Sequence, residues 1–158
     1  MNKQIIIEKI VERLEKRIND LEQSIKETQQ AVISSPNPMQ SWSDTSRFQL
    51  RSLIANLQPR IDQLKKCIEE IKKINTEKVF KKVEIGALIK TKENKKERLY
   101  FITPVGSGTE LLKLKNGQVI ALSVDSPLAQ KLSNKQSGEI IKFDGPNGHQ
   151  EITILEIL

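Results

Sequence analysis

The fold of this chain is decided by the stretch 5–32, IIIEKIVERLEKRINDLEQSIKETQQAV. Its apolar side chains recur at alternating intervals of four and three residues, which is the repeat of a coiled-coil seam. A second stripe with the same spacing follows within residues 50–75. The two stripes consist of Ile7, Val11, Leu14, Ile18, Leu21, Ile25, Thr28 and Val32, and of Leu50, Ile54, Leu57, Ile61, Leu64, Ile68, Ile71 and Asn75. The sequence therefore predicts two long helices with one apolar seam each.

The segment between the stripes must turn, because it carries Pro36 and Pro38 among serine and asparagine residues. Two helices joined by a short turn pack antiparallel. At 1.5 Å per residue, helices of roughly thirty residues form a rod about 45 Å long. We therefore predict an antiparallel coiled-coil hairpin over residues 1–78, with its tip near residues 34–46.

Pro59 interrupts the second stripe, since proline cannot donate a hydrogen bond to the preceding turn of a helix. The stripe continues in register on both sides of it, which favours a single helix. A helix that restarts at Pro59 is the alternative.

Glycine marks the boundary of a second domain, because all seven glycines lie at or beyond Gly86. Glycine is costly inside helices and useful in turns, so residues 79–158 are predicted to form a turn-rich sheet. Apolar runs with strand character begin at Val83 and at Arg98, and Asn116-Gly117 is typical of a two-residue hairpin turn. Ser126 and Pro127 suit the cap and first position of a short helix. We expect about five antiparallel strands and one helix, which makes the chain an α+β protein.

The formal net charge of +6 is spread over both halves of the chain. This charge is compatible with a partner rich in phosphate or acid, but also with simple solubility, and it is not the clustered footprint of a sequence-specific DNA reader. Cys67 is the only cysteine, so an internal disulfide is excluded. Together with the lack of a signal-peptide core or an apolar membrane span, this predicts a soluble cytoplasmic protein.

The stretch 119–158, VIALSVDSPLAQKLSNKQSGEIIKFDGPNGHQEITILEIL, resembles the carboxy-terminal domain of the bacterial Gre transcript-cleavage factors. The matching features are a strand ending in Ser-Val-Asp, the sequence Ser-Pro-Leu-Ala, a short helix, Gly-Glu-Ile-Ile and a closing strand. Upstream, the stretch 83–87 is similar to the family's first strand. The resemblance implies an FKBP-like fold for this domain and docking on RNA polymerase. It implies that Asp125, Ser126 and Pro127 form the loop that contacts the polymerase.

The resemblance also assigns a role to the tip of the coiled coil. In the family the rod enters the secondary channel of the polymerase, where acidic tip residues help to hold a catalytic Mg²⁺ and a water that cleaves backtracked RNA. Mg²⁺ prefers such hard oxygen ligands. The comparable stretch here is 41–48, SWSDTSRF, in which Asp44 takes the place of one acid, Ser41 replaces another and Arg47 stands where a third is common. The predicted tip residues are Asp44, Ser43, Trp42 and Ser41.

These assignments imply a regulator of elongation that modulates the polymerase and has no catalytic site or cofactor of its own. Mg²⁺ would be shared with the polymerase through Asp44. The expected partner is RNA polymerase, with indirect contact to the RNA and DNA of the elongation complex and none to a membrane, and we expect a monomer. No nucleophile–base pair, phosphate-binding glycine loop or metal-ligand spacing occurs in the sequence, so an enzyme is not expected.

Structural explanations exist for the same residues. Asp44 suits the start of a helix, where a carboxylate favours the helix dipole, and Ser41 or Ser43 could cap that helix. Trp42 could pack on Phe48 or Met39 to fix the turn. The alternative function is a coiled-coil adaptor or chaperone-like protein whose tip grips clients. A prolyl isomerase is a third hypothesis, although the sparse aromatic residues make a proline pocket hard to build.

Overall fold

The computed structural model describes residues 2–34, 41–93, 96–115, 117–145 and 148–158; for residues 41–46 it describes the backbone and not the side chains. The elements are the helices α1 (Lys3–Ser34), α2 (Ser41–Lys72) and α3 (Pro127–Leu132), and the strands β1 (Leu88–Glu93), β2 (Lys96–Thr103), β3 (Thr109–Leu114), β4 (Gly117–Ser123), β5 (Ile140–Gly145) and β6 (Gly148–Ile157). Two long helices thus precede a mostly antiparallel sheet with one short helix. The predicted α+β fold class is confirmed.

The chain divides into two compact units. The helical unit comprises Arg13–Lys66, and the sheet unit comprises Met1–Glu12 together with Cys67–Leu158. The sheet unit thus includes the first turns of α1 and the last turns of α2, so the units divide within the two helices, whereas the sequence placed a domain boundary near Lys78. That predicted domain boundary stays a prediction.

The apolar stripes account for the two long helices. In the helical unit, the stripe residues Leu14, Ile18, Ile25, Ile61 and Leu64 are buried. An ion pair of 2.9 Å between Lys65 Nζ and Glu22 Oε1 joins α2 to α1 beside the seam. Both helices therefore bury one face of the predicted periodicity and leave the rest of their surface to polar side chains.

Helix α2 is continuous through Pro59, so the alternative of a helix that restarts there is wrong. The loss of one hydrogen bond to the preceding turn is outweighed by the stripe that is buried on the carboxyl side of Pro59, at Ile61 and Leu64. The helix ends at Lys72, so Asn75 lies beyond it. Asn75 instead forms a turn in which its side-chain oxygen accepts from Glu77 N at 2.9 Å.

The six strands within the described residues follow the order β3-β4-β2-β1-β6-β5. All neighbours are antiparallel except β2 and β4, which pair in parallel from Tyr100↔Ile120 to Thr103↔Ser123. This pair corrects the prediction of an all-antiparallel sheet. Its cause is the loop 104–108, in which Gly106 and Gly108 have φ of 95° and 77°. The loop leads the chain to the edge strand β3, and β4 then returns between β3 and β2.

The first predicted strand begins later than the sequence suggested. Residues 83–87 lie outside the sheet ladder, and β1 starts at Leu88. Val83 exchanges backbone hydrogen bonds with the loop after α3, and Gly86 has φ of 87°. A Cβ at Gly86 would lie 2.7 Å from Ile74 Cγ2. The alternating pattern of this stretch therefore reflects packing of a turn and not a strand.

The core of the sheet unit lies between one face of the sheet and α3. It contains Ile89, Tyr100, Ile102, Leu122, Ile141, Ile152 and Ile154 from the strands, Ala129 and Leu132 from α3, and Phe80, Val83 and Ala87 from the preceding segment. On the opposite face, Leu88, Phe101 and Val119 are fully buried. Both faces of the sheet therefore contain buried apolar side chains. Within the described part of the chain, no helix combines the length and the apolar character that a bilayer crossing requires.

Candidate functional site

The loop between β4 and α3 carries the residues predicted to dock, and we call Asp125, Ser126 and Pro127 the docking loop. Its shape begins with a turn in which Ser126 N donates to Ser123 O at 2.9 Å. One residue earlier, Val124 N donates to Thr103 O at 2.9 Å, which continues the parallel pairing with β2. The turn leaves Asp125 exposed at the end of the sheet.

Ser126 and Pro127 start α3 as the sequence predicted. Ser126 has the extended backbone of an N-cap (φ −69°, ψ 146°), and its side chain accepts from Ala129 N at 3.3 Å. Pro127 occupies the start of the helix, where the missing N–H costs nothing. Capping thus explains both residues, and it leaves the exposed carboxylate of Asp125 without a role in the helix.

Two contacts hold Asp125 in place. Its carbonyl oxygen accepts from Gln130 Nε2 at 3.1 Å, and its carboxylate accepts a hydrogen bond from the Ser123 hydroxyl. The same hydroxyl lies 3.1 Å from Pro104 O, so its single proton is shared between two acceptors. The hydrogen bond from Ser123 thereby orients the carboxylate.

Behind the docking loop lies a hydroxyl cluster formed by Thr103, Ser107 and Ser123, which are 0%, 5% and 2% exposed. Thr103 Oγ1 and Ser107 Oγ lie 2.5 Å apart, and Ser107 Oγ donates to Pro104 O at 3.2 Å. This cluster was not predicted from the sequence. The sequence signal for it is weak: Thr103 precedes Pro104, and Ser107 lies between Gly106 and Gly108.

Cys67 in α2 is almost fully buried within the sheet unit. Burial raises the pKa of its thiol to about 11, and the negative charges of Glu70 and Asp125 act in the same direction. The thiol is therefore protonated and unreactive near neutral pH.

The predicted tip falls at the start of α2. The helix begins at Ser41, so Ser41, Trp42, Ser43 and Asp44 lie in its first turn. Their side chains are outside the described part of the chain, and so are the whole residues Pro36, Pro38 and Met39, which precede the helix. The suggested packing of Trp42 on Phe48 therefore stays a prediction. Phe48 itself is 72% exposed.

Lys3, Lys78 and Lys90 make local polar contacts. Lys78 Nζ lies 2.8 Å from Glu84 and Lys90 Nζ 2.8 Å from Glu97. Lys3 Nζ, at the start of α1, donates to Lys78 O at 3.1 Å and lies 4.6 Å from the centre of the Phe80 ring. Burial lowers the pKa of Lys3, while Glu77 opposes that effect. These contacts favour a structural role for Lys3, Lys78 and Lys90.

A buried polar group also lies within the sheet. The Glu93 carboxylate accepts from Tyr100 Oη at 2.6 Å and lies 3.2 Å from Arg98 Nε. Burial and the bond to Glu93 raise the pKa of Tyr100.

Arg98 also borders a cavity of about 630 Å³, together with Lys96, Glu97, Leu99, Thr109, Leu111, Gln118 and Ile120. None of these lining residues is aromatic, which disfavours this cavity as a proline pocket.

Metal-binding clusters of three or more His, Cys, Asp or Glu side chains are absent from the part of the chain that the structure describes. His149 pairs with Asp144 on the exposed hairpin of β5 and β6.

Comparison with known proteins identifies the class to which this architecture belongs. The family described as "Transcription elongation factor, GreA/GreB, C-term" matches residues 77–158, which is more than half of the chain. The chain therefore belongs to the GreA/GreB family of transcription elongation factors, and it is a divergent member.

Its similarity to individual relatives is low. It is 24% identical over 147 residues to the transcription elongation factor GreA of Neorickettsia sennetsu, which covers 92% of this chain and 89% of the relative. It is 29% identical over 101 residues to GreA of Bartonella henselae. That match covers 62% of this chain and 60% of the relative.

Among solved structures, the GreA factor homolog 1 (Gfh1) of Thermus thermophilus matches with 16% identity and a TM-score of 0.40 over 94% of each chain. The Gfh1 of Thermus aquaticus matches with 19% identity and a TM-score of 0.39 over 92% of each chain.

Proposed function

We propose that this protein binds RNA polymerase and regulates transcription elongation, with the docking loop as its anchor and the first turn of α2 as its effector. The observation that carries the proposal is the exposed carboxylate of Asp125. It is held by Ser123 at the start of a capped helix, in a domain that belongs to the GreA/GreB family. An oriented carboxylate at a surface favours a partner with a basic side chain.

The two long helices have the length that the proposed action requires. Each contains 32 residues and would extend about 48 Å if straight. In the proposed action, the helical unit enters the secondary channel of the polymerase and brings Ser41, Trp42, Ser43 and Asp44 near the active centre. The polymerase supplies the catalytic site, and this chain adjusts it.

The tip has the donor chemistry for a shared magnesium ion and not for one of its own. Asp44 supplies one carboxylate, and Ser41 and Ser43 supply hydroxyls. Mg²⁺ keeps several waters and needs few protein carboxylates, so one acid could complete a site whose other ligands belong to the polymerase. Bound there, the ion would polarise a water for RNA cleavage. Asp44 would hold or orient that water.

The test uses a stalled, backtracked elongation complex built with RNA polymerase of the source organism. The full-length protein and the variants D44A and D125A are added with Mg²⁺, and both binding and RNA shortening are measured. Binding with Asp44-dependent shortening would establish a cleavage factor. Binding without shortening would establish a regulator that occupies the channel. Failure of the unmodified protein to bind would refute the proposal and favour an adaptor that grips other proteins.

A further inference from the structure

A second loop lies directly against the docking loop. Ser123 N donates to Gly108 O at 3.0 Å and Val124 N to Thr103 O at 2.9 Å, so both ends of the loop 104–108 are bonded to the chain that leads into Asp125. The Ser123 hydroxyl lies within hydrogen-bonding distance of Pro104 O and of the Asp125 carboxylate. One side chain thus connects the two loops.

The loop 104–108 is held rigidly for a surface loop. Pro104 O accepts from the hydroxyls of both Ser107 and Ser123, at 3.2 and 3.1 Å. The three residues of the cluster are buried, and a buried hydroxyl that loses its partner destabilises the fold. Movement of this loop away from the docking loop would break the bond of the Ser123 hydroxyl to Pro104 O and the bond of Ser123 N to Gly108 O.

Val105 is the apolar side chain that this loop presents, and it is 50% exposed. It follows Pro104 directly and precedes Gly106, whose φ of 95° turns the chain. A single exposed valine is ordinary on a protein surface. The position of Val105 differs in one respect, because it lies between Pro104 and Ser107, whose polar atoms are hydrogen-bonded to each other, and Pro104 O also accepts from the Ser123 hydroxyl that orients Asp125.

We propose that the loop 104–108 is the second half of the docking surface, and that this surface takes a protein partner bearing a basic side chain next to an apolar one. Asp125 pairs with the basic group, Val105 and Pro127 cover the apolar group, and Ser123 is the positioning residue that sets their spacing. The negative charge of Asp125 disfavours a phosphate backbone as the occupant. The inference rests on the proposed function and specifies its interface.

The first test measures the affinity of the full-length protein for RNA polymerase after the substitution V105S. This substitution replaces the two methyl groups that the partner would cover with one hydroxyl, which is expected to weaken binding about tenfold. The control is V79S, because Val79 is 84% exposed in the same unit and lies outside both loops. V79S is expected to bind as the unmodified protein does. Thermal unfolding of both variants verifies that they remain folded.

The second test separates positioning from direct contact. S123A should weaken binding, because the carboxylate loses its orienting bond, while Pro104 O keeps its bond to Ser107. If Ser123 acts through Asp125, the double variant S123A/D125A binds no more weakly than D125A alone. V105S combined with D125A should show the two losses added, since the two side chains meet different groups of the partner.

Each outcome decides between the proposals. If D125A weakens binding and V105S does not, the docking surface is the single loop 125–127 and the inference is overturned, while the proposed function stands. If S123A adds its full effect to that of D125A, the positioning role is wrong. If neither D125A nor V105S changes the affinity, or the unmodified protein fails to bind, both proposals fail.

Discussion

Gly86 illustrates how a single residue can fix the junction between a helix and a sheet. Its φ of 87° lies in the left-handed region, and a Cβ there would meet Ile74 Cγ2 at 2.7 Å. Gly148 has nearly the same φ, 86°, but a Cβ added to it would meet no atom within 4 Å. Substitutions at the two glycines therefore distinguish the cost of backbone strain from the cost of a steric clash.

We expect G86A to destabilise the protein by about 2–4 kcal/mol, which combines left-handed strain with overpacking. G148A carries the strain alone and should cost about 1–2 kcal/mol. Chemical denaturation of both variants, followed by circular dichroism, measures the difference. Equal losses would show that Ile74 moves aside without cost.

Glu139 is a second residue with a local effect, because it closes the turn before β5. The bond from Lys135 Nζ at 2.9 Å and the bond from Gln136 N at 2.9 Å lower the pKa of its carboxyl. A carboxyl whose pKa is lower in the folded state stabilises that state above its unfolded pKa. This stabilisation is lost as the pH falls through the folded pKa.

A carbon-detected NMR titration should therefore place the midpoint of Glu139 below its ordinary value of 4.5. In the variant K135M, which removes the ammonium partner, the midpoint should rise towards that value. An unchanged midpoint in K135M would assign the shift to the Gln136 amide alone.

At the scale of elements, burial within the helical unit is uneven. Ile61 and Leu64 in α2 are 1% and 3% exposed, whereas Leu50, Ile54 and Leu57 are only partly buried. The seam is therefore packed more closely around Ile61 and Leu64 than in the first half of α2. Local opening should cost least near the tip, where fewer apolar contacts hold the helices together.

Matched truncations of isoleucine test this gradient. I61A removes a fully buried side chain and should destabilise the helical unit by about 3–4 kcal/mol, while I54A should cost about half as much or less. Hydrogen exchange of the amides within residues 47–66 measures the local effect. Equal costs would mean that the seam is packed evenly along its length.

At the scale of the whole molecule, docking and action at the tip are assigned to different parts of the chain. Asp125 belongs to the sheet unit and Asp44 to the helical unit. A defect in docking weakens binding, so a higher protein concentration restores activity. A defect at the tip lowers the activity of the bound protein, which a higher concentration does not restore. The two variants should therefore differ in their dose dependence and not only in their activity.

We expect D125A to require a higher protein concentration for half-maximal RNA shortening, by about 10–100-fold, with the same plateau. D44A should bind with unchanged affinity and have a lower plateau. RNA-shortening rates measured over a range of protein concentrations give both quantities. A plateau that falls in D125A would indicate that docking also positions the tip.

The sequence by itself determined the two long helices, the short helix α3 and most of the strands. These elements follow from local rules: apolar periodicity in the stripes, capping by Ser126, and the hairpin signal between β3 and β4. It also determined the family, through the motif around Asp125. Each of these signals lies within one continuous stretch of the chain, so each can be read without knowing the fold.

Only the tertiary structure decided the parallel pairing of β2 with β4, the turn at 83–87 and the hydroxyl cluster that orients Asp125. Thr103, Ser107 and Ser123 are ordinary polar residues in the sequence, and they meet because the loop 104–108 folds back on the end of β4. Contacts between segments far apart in the chain depend on the path of the backbone. No local pattern encodes them, and for that reason the neighbours of Asp125 could not be found from the sequence.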